Sequence, residues 1–274
     1  MTEKKSNKPR KFSRSKKRPS NKYSKNKRRA LKPSARREEF LDGIGVPKET
    51  PFKPDQFQLD AIESLCSEYD TLVAAPTGAG KTYIALEAIK HFVAEGKKAI
   101  YTAPLKALSN TKYLDFVNKF EGICDVGLLT GDRKINPDAP IVVATTEIYR
   151  NDLFAGKGDY SLVILDEFHF LSDPQRGPVW EESIILAPQS STLLMLSASI
   201  SNAEFIAEWI EVIRTKGVNI IRKHERPVEL RHGFFMGENV NPLSKKNGKP
   251  SDALDRYISS FRRPRLPGGR KRRR

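Results

Sequence analysis

Short apolar segments alternate with amphipathic segments between residues 59 and 213. The apolar runs predict strands, and they cover residues 71–74, 99–102, 126–129, 141–144, 162–165 and 192–196. Apolar positions spaced three or four residues apart predict helices over residues 59–66, 81–93, 105–120, 147–153, 179–186 and 203–213. This alternation predicts an α/β domain with a doubly wound, mostly parallel sheet and right-handed crossovers. Ligands of such sheets bind at the carboxyl ends of the strands.

A glycine-bearing loop joins the first predicted strand to its helix. Its sequence is Ala-Pro-Thr-Gly-Ala-Gly-Lys-Thr, and the general phosphate-loop pattern has Gly where this chain has Ala75. Backbone N–H groups at a helix start attract an anion, and glycines let the backbone approach it. Lys81 supplies a charge for the β- and γ-phosphates, and the Thr82 hydroxyl is a ligand for Mg²⁺. We therefore expect ATP and Mg²⁺ as cofactors, with these loop residues binding nucleotide: Thr77, Gly78, Ala79, Gly80, Lys81 and Thr82.

A second chemical centre, Asp-Glu-Phe-His, follows the apolar run 162–165 directly. Asp166 at a strand end is suited to hold Mg²⁺, and Glu167 to orient or deprotonate the attacking water. His169 is expected to sense the γ-phosphate or the neighbouring motif. The predicted catalytic residues are Lys81, Asp166, Glu167 and His169, and the predicted metal ligands are Thr82 and Asp166.

The segment before the phosphate loop has residues suited to recognise adenine. Phe52 can stack on a base, and the Gln58 amide can both donate and accept hydrogen bonds at the adenine edge. The alternative from this segment alone places Phe52 in the core and Gln58 on the surface. Both interpretations stay open at this point.

The net charge of +16 is concentrated in two terminal segments. Residues 1–37 contain 17 Lys or Arg and one acid, and residues 261–274 contain eight basic residues and no acid. With so few apolar residues, the first segment is expected to be a disordered basic tail. Such an arm adds salt-sensitive affinity for RNA or DNA. A solvated tail without a specific partner, or a nuclear import signal, is the alternative.

Composition indicates a cytoplasmic protein without a membrane span. No run of 18 apolar residues occurs, and no apolar segment typical of a secretory signal follows the start. Cys66 and Cys124 have no metal-ligand spacing, and we expect both to be core thiols. We expect a monomer.

Together these motifs resemble superfamily 2 helicases of the DExH type, most closely the superkiller-type, exosome-associated RNA helicases. The resemblance runs in unbroken order from about Phe52 to Phe235. Besides the segments above, it is carried by the segments 102–110, 130–132, 135–138, 145–148, 176–177, 179–182, 197–199, 202–203, 208–210 and 226–228. It departs from the family pattern at Phe168, where Val or Ala is common, and at Ser199, where Thr is common.

The resemblance implies a RecA-like P-loop NTPase domain, in which Phe52 and Gln58 belong to the segment that reads adenine, and it adds further site residues. Ser197 and Ser199 would couple ATP hydrolysis to movement along the strand. The residues implied to line the nucleic-acid backbone are Pro104, Lys106, Ser109, Gly131, Thr146 and Glu147. Small or hydroxylated residues and N–H groups at helix starts suit phosphates. Trp180 is expected to pack in the core.

Helicases of this type need a second RecA-like domain whose arginines complete the ATP site. The 46 residues after Val228 are too few for one. We therefore expect a basic tail over residues 1–37, a helicase ATP-binding domain over 38–235, and a linker with a basic tail over 236–274. The second domain would act in trans, and the chain would be a natural truncation, a split gene or a fragment. The alternatives to an RNA helicase half are a non-catalytic RNA-binding or regulatory module and a DNA helicase fragment.

Overall fold

A computed structural model describes residues 40–42, 53–226, 230–236, 239–245 and 247–261. The predicted tail 1–37, Phe52 and residues 262–274 lie outside the described residues. The described residues fall into two compact units, the larger within Pro47–Arg231 and the smaller made of described residues before and after that range.

Eight strands of the larger unit form one sheet. Its strands are β1 Asp70–Ala74, β2 Ala99–Ala103, β3 Val126–Thr130, β4 Arg133–Ile135, β5 Ile141–Thr145, β6 Leu162–Leu165, β7 Thr192–Ser197 and β8 Val218–Arg222. The spatial order is β4-β3-β5-β2-β6-β7-β1-β8. Every neighbouring pair is parallel except β3 and β4. The predicted doubly wound, mostly parallel sheet is therefore confirmed.

Among the described residues of the same unit, one α-helix precedes the first strand and five α-helices connect strands. They are α1 Gln56–Cys66, α2 Lys81–Ala94, α3 Lys106–Lys119, α4 Thr146–Phe154, α5 Gly177–Leu186 and α6 Ala203–Arg214, and a 3-10 helix covers Phe168–Ser172. Each predicted helix is present within two or three residues of its expected ends.

The helices cover the two faces of the sheet and form two apolar layers. Ile84 and Phe116 belong to the layer under α1, α2 and α3, and Tyr149 and Trp180 belong to the layer under α4, α5 and α6. Successive side chains of a strand point to opposite faces, and β1 is buried on both. This explains why the predicted strands are continuous apolar runs. The expected core position of Trp180 is confirmed.

Three features of this unit differ from the sequence-based expectations. The edge strands β4 and β8 were not predicted, since β4 is short and polar and β8 is only partly buried. Cys66 is exposed at the end of α1, while Cys124 is partly buried. The expectation of two core thiols is therefore wrong for Cys66.

The smaller unit contains a hairpin that begins at the end of the predicted domain 38–235, and a helix within the predicted linker and tail 236–274. β9 Gly233–Met236 pairs antiparallel with β10 Asn239–Pro242, and α7 covers Asp252–Phe261. The Tyr257 ring lies 5.6 Å from the Phe234 ring and 4.8 Å from the Phe261 ring. Aromatic contacts of this kind order a segment whose composition resembles a linker.

Candidate active site

The phosphate loop leads into α2 through two left-handed glycines. Gly78 and Gly80 both have a φ of 85°, a conformation that disfavours side chains with a Cβ. Gly80 is the N-cap of α2, and no side chain caps this helix start. The first N–H groups of an α-helix have no intrahelical acceptor, so this end suits an anionic ligand.

Lys81 is the first residue of α2, and its side chain folds back into the phosphate loop. Its ammonium donates to the carbonyls of Ala75 at 2.8 Å and of Pro76 at 3.3 Å. Burial lowers the pKa of Lys81, and the charges of Asp166 and Glu167 oppose that effect. The lysine is therefore close enough to the acidic motif for the charges of that motif to act on it.

Gln58 reaches the phosphate loop from α1. Its amide nitrogen donates to the carbonyls of Ala79 at 3.1 Å and of Gly80 at 3.2 Å, and its carbonyl oxygen accepts from the Asp55 N–H at 2.9 Å. Gln58 is 3% exposed, so the alternative that places it on the surface is wrong. A role in adenine recognition remains a prediction, because the described contacts of this amide hold the loop.

The acidic motif begins at the carboxyl end of β6. The Asp166 carboxylate accepts hydrogen bonds from the Tyr101 phenol and, at 2.9 Å, from the Glu167 N–H. Glu167 has a φ of 52°, a left-handed conformation uncommon for a non-glycine residue. His169 Nδ1 lies 3.4 Å from Glu167 Oε2. The Asp166 carboxylate is thus held by two hydrogen bonds, while Glu167 has His169 as a close neighbour.

Two residues that the sequence analysis missed join this site. Burial, together with the Asp166 charge, raises the pKa of Tyr101 well above its usual range, so the phenol remains a donor. Lys112 of α3 donates to Thr82 Oγ1 at 2.8 Å, and its ammonium lies 5.7 Å from the Tyr101 ring centre. A tyrosine within an otherwise apolar strand was the signal for Tyr101. Lys112 contacts a residue 30 positions away, and its surroundings in the sequence gave no signal.

The predicted coupling motif lies at the end of β7, next to the phosphate loop. The Ser197 carbonyl accepts from the Ala75 N–H at 3.0 Å, and the Ser197 hydroxyl donates to the Ser199 carbonyl at 3.3 Å. Ser197 is buried and Ser199 is exposed. The hydrogen bond between Ala75 and Ser197 therefore connects the phosphate loop to the coupling motif through backbone atoms.

A pocket of about 360 Å³ opens beside these two motifs. Its lining includes Pro76, Ser199 and four basic residues after or at the end of β8, namely Arg222, Lys223, His224 and Arg226. Arg226 also donates to the hydroxyl of Thr77 at 3.3 Å. Arg226 adds a cation to a lining in which Arg222 and Lys223 are already paired with Glu204 and Asp55.

The residues that the family resemblance assigns to nucleic-acid contact fall into two groups, which differ in whether their side chains are buried. Lys106 and Gly131 are exposed, and Lys106 Nζ lies 3.1 Å from Asp132 Oδ1. A Cβ on Gly131 would meet the end of the Lys106 side chain at 3.5 Å, so these two residues are neighbours. Glu147 is partly buried in the first turn of α4.

The second group has buried side chains, and comprises Pro104, Ser109 and Thr146. The Ser109 hydroxyl donates to the Ala144 carbonyl at 3.1 Å, which ties α3 to β5. Thr146 begins α4, and its hydroxyl has no hydrogen-bond partner among the described residues. If these three residues contact a nucleic acid, they would therefore do so through backbone atoms.

Comparisons with known proteins agree with this arrangement. The family model described as DEAD/DEAH box helicase matches residues 55–206. The chain is 40% identical to the probable helicase HelY of Mycobacterium leprae, over 81% of this chain and 26% of that protein. It is 42% identical to the exosome RNA helicase MTR4 of Homo sapiens, over 73% of this chain and 20% of that protein. It is also 42% identical to superkiller complex protein 2 of Mus musculus, over 69% of this chain and 15% of that protein.

The chain thus spans about a quarter or less of the length of these relatives. The matched residues include the phosphate loop, the acidic motif and the coupling motif, whose geometry is described above. A family match over more than half of the chain and three motifs at one edge of the sheet lead to the same conclusion. The chain belongs to the DEAD/DEAH box helicase family.

Proposed function

We propose that this chain is the ATP-binding domain of a DExH-type helicase, and that it couples ATP binding and hydrolysis to nucleic-acid binding and unwinding. The observation that supports this most strongly is the contact network around the phosphate loop. Lys81 lies within the loop, hydrogen-bonded to the Ala75 and Pro76 carbonyls, and the Ala75 N–H is hydrogen-bonded to the coupling motif at Ser197. A nucleotide in the loop would touch the elements that hydrolyse it and the element that responds to hydrolysis.

The residues of the site fit Mg²⁺ as a cofactor. Thr82 and Asp166 offer a hydroxyl and a carboxylate, the oxygen donors that Mg²⁺ prefers. Among the described residues, no group of three or more His, Cys, Asp or Glu side chains forms a site of its own. The ion would therefore depend on nucleotide phosphates and water for its remaining ligands. When bound, it would neutralise charge on the transferred phosphoryl group.

The side chains of the chain itself then have separate roles. Lys81 binds the β- and γ-phosphates, and Glu167 orients or deprotonates the attacking water. His169, whose Nδ1 lies 3.4 Å from Glu167 Oε2, is placed to sense the γ-phosphate or the neighbouring motif. Tyr101 holds the Asp166 carboxylate by a hydrogen bond, so that its orientation is set before the nucleotide binds.

We propose that the nucleic acid bound by this domain is RNA. One of the relatives is named as an exosome RNA helicase, which supports RNA over DNA. The exposed Lys106 and Gly131 and the starts of α3 and α4 supply a cation and backbone N–H groups, which bind phosphates of either nucleic acid. The basic residues within 1–37 would add sequence-independent affinity.

We further propose a cytoplasmic monomer that works with a second RecA-like domain, located in a longer polypeptide or supplied in trans. Over the residues that the structure describes, no helix is both long and apolar enough to cross a membrane. Arginines from the second domain would complete the ATP site from across a cleft.

The test is an ATPase and unwinding assay with these 274 residues, with single-stranded RNA, and with or without a RecA-like second domain from a matching helicase. Because an arginine finger contributes roughly 10³–10⁵ in rate, we expect very slow hydrolysis by the chain alone and a large gain with the second domain. Glu167→Gln should remove that gain. Failure of the second domain to stimulate ATPase activity would count against the proposal, as would efficient RNA unwinding by the chain alone.

A further inference from the structure

The contact between Lys112 and Thr82 connects two parts of the molecule that the sequence assigns to different tasks. Thr82 belongs to the phosphate loop and is the proposed Mg²⁺ ligand. Lys112 belongs to α3, whose first turn contains Lys106, a proposed contact to nucleic acid. The ammonium donates to the Thr82 hydroxyl oxygen at 2.8 Å.

The position of Lys112 is fixed by its neighbours. The lysine is half-buried, and its ammonium lies 5.7 Å from the centre of the Tyr101 ring. Tyr101 packs edge-to-face on Phe116, one turn further along α3, with ring centres 5.2 Å apart. The Tyr101 phenol in turn donates to Asp166, the second proposed metal ligand. One lysine of α3 therefore reaches the neighbourhood of both ligands.

A lysine ammonium and a divalent cation on the same oxygen repel each other. The hydroxyl of Thr82 has two lone pairs, and the hydrogen bond from Lys112 uses one of them. A Mg²⁺ ion bound through the same oxygen would place two like charges side by side, in a site partly shielded from water. Metal binding would therefore either displace the lysine or be weakened by it.

We propose that Lys112 competes with Mg²⁺ for the Thr82 hydroxyl, and so makes metal binding at the ATP site depend on the position of α3. The inference rests on the proposed Mg-ATP site. Because Lys112 is already in hydrogen-bond contact with Thr82, a nucleic acid that contacts the start of α3 and shifts this helix would move Lys112 away from Thr82. Lys112 is thus a positioning residue between the proposed strand-binding surface and the metal site.

The test is a titration of MgCl₂ into the chain with ATP labelled with a methylanthraniloyl fluorophore, in which the Mg²⁺ concentration at half-maximal binding is measured. In Lys112→Met, which keeps an unbranched stem against Tyr101, this midpoint should fall about tenfold because one repulsive charge is removed. Lys112→Arg, which retains the cation, should remain near the wild type. Lys119→Met, on the exposed last turn of α3, is the matched control and should not change the midpoint.

The same titration is repeated with a saturating single-stranded oligouridine. The Mg²⁺ midpoint of wild type should then be lower than without oligouridine, and that of Lys112→Met should change much less. Thermal melts confirm that each variant is folded, and Lys112→Gln replaces the Met variant if that one is unstable.

The outcomes separate this inference from the proposed function. A midpoint that is unchanged or raised in Lys112→Met, while wild type binds labelled ATP with Mg²⁺, would overturn the competition and leave the ATP site intact. Equal shifts with oligouridine in wild type and variant, or no shift in either, would overturn the link to α3. An absence of Mg-dependent binding in wild type would contradict the proposed function and this inference together.

Discussion

The base of β1 contains a buried ion pair whose disruption should be costly. Asp70 and Arg214 have fully buried side chains and are hydrogen-bonded to each other. Asp70 also accepts from the Leu193 N–H at 2.8 Å, and Arg214 donates to the Ser191 carbonyl at 2.8 Å. Lys216 lies 3.7 Å from Asp70. The pair joins β1, α6 and the start of β7 at the end of β1 opposite the phosphate loop.

Asp70→Asn removes the charge and keeps the size of the side chain. The amide can still accept from Leu193, so the main loss is the uncompensated charge of the buried Arg214. Breaking a buried pair in this way costs about 3–5 kcal/mol of unfolding free energy. For a domain of this size we expect the melting temperature to fall by about 6–20 °C.

The assay is denaturation by guanidinium chloride and by heat, compared with wild type and with a control. Asp60→Asn is the matched control, because Asp60 is exposed and its carboxylate accepts a bond only from the neighbouring exposed Gln56 among the hydrogen bonds described. This control should change stability by less than about 0.5 kcal/mol. The double variant of Asp70→Asn with Arg214→Met should lose less than the sum of its single variants. A loss below about 1 kcal/mol in Asp70→Asn would refute the reasoning.

Two further predictions concern the phosphate loop and the basic tail. Gly80→Ala places a Cβ 2.4 Å from Gln58 Nε2 at a φ of 85°, so it should weaken ATP binding and cost more stability than Gly96→Ala, which has a φ of 72° and open space around it. Labelled-ATP binding and melting of both variants measure this, and equal behaviour would contradict it. Deletion of residues 1–37 should lower RNA affinity and flatten the slope of log affinity against log salt, because fewer counterions are released. Filter binding at several salt concentrations checks this, and an unchanged slope would show that the tail makes no contact with RNA.

The main elements of the fold could be predicted from the sequence because burial on both faces of the sheet leaves continuous apolar runs. The strand at residues 162–165 was predicted with the bounds that the structure has. β8 was missed because it is an edge strand whose residues are only partly buried, so its sequence is not a continuous apolar run. The helix Asp252–Phe261 was missed because its surroundings are basic and polar, although Leu254, Tyr257 and Phe261 recur at helical spacing.

The site was predictable where a motif is continuous in sequence and unpredictable where contacts cross the fold. Lys81 and Asp166 stand in recognisable local patterns, and the structure brings them together. The contact of Tyr101 with Asp166 spans 65 positions, and only the sheet order, with β2 next to β6, places them side by side. Similarly, the buried amide of Gln58 could not be anticipated, since its partners lie in a loop 21 and 22 residues away.

The central claim, a Mg-ATP site at the phosphate loop, is tested most directly by ATP-induced thermal stabilisation of wild type and of Lys81→Ala. A ligand at 100 times its Kd adds about 2.7 kcal/mol to the stability of a protein that binds it. We predict that Mg-ATP raises the melting temperature of wild type and of the control Lys90→Ala, whose lysine is exposed on α2. Lys81→Ala should show no such rise. An equal rise in Lys81→Ala would contradict the assignment of this loop.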